Sequence, residues 1–271
     1  MKRIFHVKTE PGAAELQPVL NMRIGPNHLS YAVTDRVSGQ LTELSYWTTP
    51  EMTTDGLTDL FNGHPGIARP FFQVNICYDY PSSMIVPAKE IGPEEAGLLP
   101  ESLPGTGSRS LTITEPVPGW SLFNVFSPPR EIHDWLSSKF PTARFRHGTT
   151  VSLQGIRTSA PDGCLQVDIR HQDFSLVAVR SGKLLLARSF VYNTPEDVVY
   201  YLLRTCRQFS LSQTGVELEL SGLVNKDSAL YNTLFQYFSH TRFRENNWNL
   251  DPAEYPAHFF TPLKDLSACE S

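Results

Sequence analysis

Residues 173–222 read DFSLVAVRSGKLLLARSFVYNTPEDVVYYLLRTCRQFSLSQTGVELELSG, and the order of patterns within them decides the fold. Phe174, Leu176 and Ala178 alternate with Ser175, Val177 and Val179, the period of a strand. Arg180-Ser181-Gly182-Lys183 is a tight turn, and the apolar run from Leu184 to Val191 returns as a second strand. Thr194 suits a helix N-cap, Pro195 the first helical position, and Glu196 and Asp197 the positive end of the helix dipole. Val198, Val199, Leu202, Cys206 and Phe209 recur on one helical stripe. Val216, Leu218 and Leu220 then alternate with Glu217, Glu219 and Ser221, and Gly222 ends the strand.

The same order occurs earlier in the chain. Leu29-Ser30 matches Phe174-Ser175, and Thr49-Pro50-Glu51 matches Thr194-Pro195-Glu196, both at an offset of 145 residues. Gly39 repeats the turn glycine Gly182, and Phe72, Val74 and Ile76 alternate as Val216, Leu218 and Leu220 do. Phe140-Pro141-Thr142-Ala143-Arg144-Phe145-Arg146 resembles Phe238-Ser239-His240-Thr241-Arg242-Phe243-Arg244, but at an offset of 98. Two matches with different offsets imply a duplicated unit whose first copy carries 47 extra residues, placed between Asp79 and Phe126.

Composition bounds the function. The 271 residues are 40% hydrophobic and 19% charged, as in a globular protein with a sizeable core. A net charge of −5 argues against the nucleic-acid backbone as the main partner. Cys77, Cys164, Cys206 and Cys269 show no ligand spacing, and Cys77 and Cys206 sit at apolar positions, so a reducing cytoplasm is the expected compartment. No signal peptide pattern and no run long enough to span a bilayer is visible.

In chain order, about twenty residues of weak pattern, with Pro11-Gly12 and Pro18, read as an extended arm. Strands follow at Leu29–Val33 and Leu41–Trp47, a helix after Pro50, a loop at 62–66, and a strand at Phe71–Cys77. A short helix is expected between Pro87 and Leu103, and a loop from Gly105 to Ser110. Strands at Leu111–Thr114 and Leu122–Phe126, a helix opened by Pro128, and a strand at Arg144–His147 complete the first copy. Ser159-Ala160-Pro161-Asp162-Gly163 is the expected boundary, giving domains 1–160 and 161–271. The second copy adds a strand at Leu165–Ile169 and a helix near Ser228–Phe238; no strong pattern follows Asn246.

Hairpin strands followed by alternating helices and strands predict an α/β fold, a mixed sheet covered by helices. Two such ribonuclease H-like units in tandem resemble the actin-like superfamily of sugar kinases, chaperones and actins. Phe190-Val191-Tyr192-Asn193-Thr194-Pro195-Glu196-Asp197 with Tyr200-Tyr201-Leu202-Leu203, and Leu218-Glu219-Leu220-Ser221-Gly222, are more closely similar to a Bacteroidetes-type bacterial family of unknown function within that superfamily.

The resemblance implies a nucleotide held between two hairpins, each carrying Asp-x-Gly, and a later Gly-Gly-x-Ser-type turn for the adenosine. This chain departs from all three. In the first hairpin Arg23 stands where the acid is expected; Gly25 is present, and Pro26 removes an amide donor. In the second, Asp168 is kept but Arg170 takes the glycine position, where its side chain is expected to crowd a phosphate. At the adenosine turn only Gly222 remains, with Asp227-Ser228 nearby as an ordinary helix cap. The histidines are dispersed, and His171-Gln172-Asp173 reads as a solvated turn. The carboxylate pairs Glu94-Glu95 and Glu217/Glu219 have no other feature aiming a substrate at them. Alternation puts Arg144 with Arg146, and Arg242 with Arg244, on one strand face. That face is either simply wet or a basic surface for an anion or acidic partner.

Two functions are therefore weighed. One is a non-catalytic protein-binding or assembly component, as the resemblance allows, since some pilus and secretion components share the fold. It needs no cofactor and has a protein partner. The alternative is a divergent ATPase or phosphotransferase using ATP and magnesium, favoured by Asp168 and Gly222. No metal site of the protein's own is expected.

Overall fold

The computed structural model of the protein describes residues 1–9, 17–89, 92, 111–156, 160–248, 250 and 255–269. The chain forms two compact units, Met1–Thr150 with Leu266–Ser271, and Val151–Asp265. The boundary drawn from the sequence after residue 160 lies within the second unit. The Pro-Asp-Gly signal that drew it there is the turn entering a strand: the Gly163 N–H donates to the Ala160 carbonyl (3.1 Å), with Gly163 at φ +96°.

The first unit contains β1 (Lys2–Lys8), β2 (Pro18–Ile24), β3 (His28–Asp35), β4 (Leu41–Thr48), α1 (Thr54–Gly63), α2 (Pro65–Ala68) and β5 (Gln73–Tyr78). After these come β6 (Ser83–Pro87), β7 (Ile113–Pro116), β8 (Leu122–Phe126), α3 (Arg130–Lys139) and β9 (Arg144–His147). The main sheet has the order β1-β4-β3-β2-β5-β9. Its helix-covered core includes Leu20, Met22, Tyr31, Leu57, Phe61, Ile76 and Leu136.

Three expectations are corrected in this unit. The N-terminal arm contains two strands, β1 and β2. Val19 to Ile24 is buried on both sides, polar Asn21 and Arg23 included, so it shows no alternation. The helix expected after Pro50 starts at Thr54, with Thr53 as N-cap accepting from the Gly56 N–H (3.1 Å). Residues 49–52 are held outside it because the Thr49 and Met52 N–H groups donate to the carbonyls of Asn27 and Pro26 (2.9 and 2.7 Å). The loop expected at 62–66 is largely helical, α1 and α2 meeting at His64.

The extra segment between Asp79 and Phe126 appears as the three-stranded sheet β6-β8-β7. The short helix and loop expected between 87 and 110 fall largely outside the described residues.

Helix α4 (Gly148–Gly155) leads into the second unit. That unit contains β10 (Cys164–Ile169), β11 (Asp173–Arg180), β12 (Lys183–Val191), α5 (Pro195–Phe209), β13 (Glu217–Gly222), α6 (Ala229–Tyr237) and β14 (His240–Phe243). A single helical turn at Ala257–Phe260 and α7 (Thr261–Ala268) follow, where no strong pattern was seen. The sheet order is β12-β11-β10-β13-β14. Helix α5 starts as expected, with a capping box: Thr194 accepts from the Asp197 N–H, and Asp197 accepts from the Thr194 N–H (3.0 Å). Leu165, Val167, Leu176, Val198, Leu202, Leu218, Leu220 and Phe238 build the core.

The five strands β4-β3-β2-β5-β9 and β12-β11-β10-β13-β14 share order, sense and register. Leu29 pairs with Ile24 as Phe174 pairs with Ile169. The outer hairpins are irregular at the same place, Val33/Thr34 and Ala178/Val179. Arg144 lies opposite Asn75 as Arg242 lies opposite Glu219. The Thr49-Pro50-Glu51 match does not survive. Thr48 faces His28 where Val191 faces Asp173, so Thr194 has no counterpart at Thr49. Among the described residues no helix is long and apolar enough to cross a membrane.

Candidate functional site

The candidate positions lie at the turn ends of β2 and β10. In the first unit the chain leaves β2 at Ile24, turns through Gly25-Pro26-Asn27 and enters β3 at His28. The Gly25 N–H donates to the His28 carbonyl (3.0 Å). Arg23, 8% exposed, donates from a terminal nitrogen to Asp79 Oδ1 (2.9 Å). His28 Nε2 lies 3.1 Å from Asp79 Oδ2, and its ring stacks on Tyr46 at 6.0 Å. A Cβ on Gly25 would sit 2.3 Å from the His28 ring, so the imidazole fills the space that the missing side chain leaves. Asp79 itself sits against Gly148, where a Cβ would come within 2.4 Å of its carboxylate.

In the second unit Arg170 is 3% exposed and turned inward. Its Nε and one terminal nitrogen form a fork on Asp173 (3.0 and 2.9 Å). The other terminal nitrogen donates to Asp168 Oδ2 (3.2 Å) and Ser175 Oγ (3.3 Å). The second oxygen of Asp168 accepts from the Ser221 hydroxyl (3.3 Å). Gly222 closes over this cluster at φ +81°, and a Cβ there would lie 2.0 Å from the Ile169 carbonyl oxygen. The turn His171-Gln172-Asp173 is therefore only partly solvated: His171 and Gln172 are exposed, and Asp173 is buried on Arg170.

Arg23 and Asp168 occupy the same register position, each opposite a serine, Ser30 and Ser175. The charge is reversed between them. Each hairpin carries its counter-charge within its own unit, Asp79 for Arg23 and Arg170 for Asp168.

The Arg-Phe-Arg strands diverge. Phe145 stacks on Tyr78 (5.8 Å), and Phe243 stacks on His258 (3.9 Å) and Tyr231 (5.1 Å), so both phenylalanines face apolar neighbours. Arg242 bridges Glu217 and Glu219, which accounts for that carboxylate pair. Arg244 binds Asp265 (2.8 Å) and approaches Glu219 (3.6 Å). Arg146 is half-buried and donates to the Cys269 carbonyl (3.3 Å), whereas Arg144 is exposed. Glu94 and Glu95 lie outside the described residues.

Shortly after Gly222 a pocket of about 720 Å³ is lined by residues 225–228, Phe243, Glu245 and 256–258. Ser228 caps α6, accepting from the Tyr231 N–H (3.1 Å). Burial lowers the His258 pKa, and its neutral ring bonds the Val224 carbonyl through Nε2 (2.7 Å). Among the described residues no three His, Cys, Asp or Glu side chains converge as metal ligands.

Sequence reasoning missed Asp79 and His28. The one available signal was an acid placed directly after the buried strand β5, which needs a partner when buried.

A family model covers residues 14–241. The chain belongs to the family described as Protein of unknown function (DUF3822). Two solved structures place the DUF3822 chain among actin-like folds. A Bacteroides thetaiotaomicron protein with actin-like ATPase fold and unknown function is similar over 94% of this chain and 96% of its own, with TM-score 0.79 and 20% identity. The PilM–PilN type IV pilus biogenesis complex is similar over 92% of this chain and 97% of its own, with TM-score 0.65 and 13% identity. No curated protein matches. The DUF3822 chain thus has the actin-like ATPase fold, and these likenesses speak to the fold alone.

Proposed function

We propose that this DUF3822 protein is a non-catalytic actin-like component that works by binding another protein in the cytoplasm. One observation carries the reading: both hairpins that would cradle phosphate are filled from within, by His28 over Gly25 and by the Arg170 fork on Asp173 and Asp168. Phosphoryl transfer depends on bare amides and a free carboxylate around a metal-bound phosphate. Here Asp168 is engaged on both oxygens, and Arg23 places a cation where the other acid belongs. PilM, of similar fold, occurs in a complex with PilN, a precedent by analogy only. Four free buried thiols fit a reducing compartment. The shared register of the two sheets supports an origin by duplication.

A divergent nucleotide-binding role is the second reading, favoured by the pocket beside Asp227-Ser228 with the stacked rings of Phe243 and His258. Melting the protein with ATP and magnesium separates the two. A ligand at a hundred times its Kd stabilises by about 2.7 kcal/mol, so a bound nucleotide gives a clear rise in Tm. The expected result is no rise and no magnesium-dependent hydrolysis above that of Asp168→Ala. Hydrolysis that vanishes in Asp168→Ala overturns the non-catalytic reading.

A further inference from the structure

The two sheets differ at one edge. In the first unit β1 lies antiparallel along the outer side of β4, from Lys2 opposite Thr48 to Lys8 opposite Glu43. In the second unit the corresponding strand, β12, is the last in its sheet among the described residues. Thr48 corresponds to Val191 and Glu43 to Leu186, so the stretch that β1 covers on β4 corresponds to Leu186–Val191 on β12.

That stretch is ready to pair. The Tyr192 N–H donates to the Gln172 carbonyl (3.1 Å). Alternation from that bond turns the backbone of Phe190 and Arg188 toward β11 and leaves the N–H and C=O groups of Val191, Ser189 and Ala187 pointing away from the sheet. A groove of about 370 Å³ runs beside them, lined by Leu186, Arg188, Phe190, Tyr201, Arg204 and neighbouring α5 residues. Phe190 stacks on Tyr201 at 4.2 Å, giving the groove an aromatic wall. Arg188 lies over Phe190, and Arg188 and Arg204 are exposed and without a carboxylate partner among the described residues.

We propose that the β12 edge is a docking site for an extended acidic segment of a partner protein, which adds as a strand and places carboxylates on Arg188 and Arg204. Backbone pairing along an open edge supplies affinity, and the alternate side chains supply specificity. Charge selects the occupant. Lys183 and Arg188 lie on β12 with no acid between them, so a second copy pairing edge to edge brings cations together. Strand β1, with Lys2, Arg3 and Lys8, has the wrong sign for this groove. An acidic strand bearing apolar residues at intervening positions meets neither objection. The inference names a surface for the protein-binding role proposed above and rests on that reading.

The test titrates a labelled peptide of alternating glutamate and valine against the full chain, with a lysine and valine peptide as control. The acidic peptide is expected to bind, more weakly as salt rises, and the basic one is not. Arg188→Glu and Arg204→Glu are each expected to weaken binding about tenfold. Ser189→Pro removes an outward N–H while leaving the β11 pairing, a place where an edge strand tolerates proline, and is expected to abolish binding. If Ser189→Pro does not fold, Arg204→Glu, on a helix, decides alone. No binding of the acidic peptide, equal binding of both peptides, or acidic binding unchanged in Arg204→Glu overturns the proposal. So does self-association that Ser189→Pro disperses, which would assign the edge to a second copy. ATP turnover would remove the non-catalytic reading without altering the titration, and a failed titration would leave the filled hairpins as they are.

Discussion

Asp79 shows what a single carboxylate does in the first hairpin. It is 3% exposed and receives Arg23 on one oxygen and His28 on the other. A buried charge that loses its partner costs far more than the intact pair contributes. Asp79→Asn keeps the shape and removes the charge facing the Arg23 guanidinium, so it is expected to lower unfolding stability by about 3 kcal/mol. Chemical unfolding of Asp79→Asn, and of the double variant with Arg23→Met, checks this. The double variant should recover part of the loss, and an Asp79→Asn midpoint equal to the parent's would deny the pair its structural role. The cysteines behave differently. All four are free and buried. Burial pushes the Cys164 thiol up to about 12 and the Cys206 thiol to about 11. The thiolate is the reactive form, so native protein is expected to be inert to a chromogenic disulfide reagent until denaturant is added. Rapid native labelling would contradict that burial.

The informative element is β7, a strand of the inserted sheet. Its Glu115 is buried and accepts from the His147 N–H (2.9 Å) and the Thr150 hydroxyl at the start of α4. Burial pushes the Glu115 carboxyl up to about 7, outweighing those bonds and the Arg146 charge, which favour the carboxylate. The folded chain therefore holds this proton more tightly than the unfolded chain, whose value is 4.5. This contribution to stability is complete below 4.5 and is lost as pH rises toward 7, with a slope of up to about 1.4 kcal/mol per pH unit. In Glu115→Gln the amide oxygen can still accept both bonds without titrating. Its difference in unfolding free energy from the parent should shift across that window and level off above it. A difference that is flat with pH would mean that Glu115 titrates normally.

At the scale of the whole molecule, the fold was legible because it is written in short periods. Thr194-Pro195-Glu196-Asp197 specifies a helix start through contacts within four residues, and the capping box forms there. Leu29 and Phe174 fall on equivalent strands because alternation fixes a strand's register. Patterns failed where burial was complete, as in β2, and where a local match competed with tertiary bonds, as at Thr49-Pro50. The candidate site was half legible. The departures at Arg23 and Arg170 were visible in the sequence, but the fate of each side chain was not.

The sequence by itself determined the α/β class, the hairpin and capped helix of residues 173–222, and the absence of Asp-x-Gly from both hairpins. Only the tertiary structure decided that those hairpins are occupied. Asp79 reaches Arg23 across 56 residues of chain and Ser221 reaches Asp168 across 53, distances over which no local period carries information. Such pairings exist because a buried charge must find a counter-charge wherever folding brings one within reach, and only the packed sheet determines which one that is.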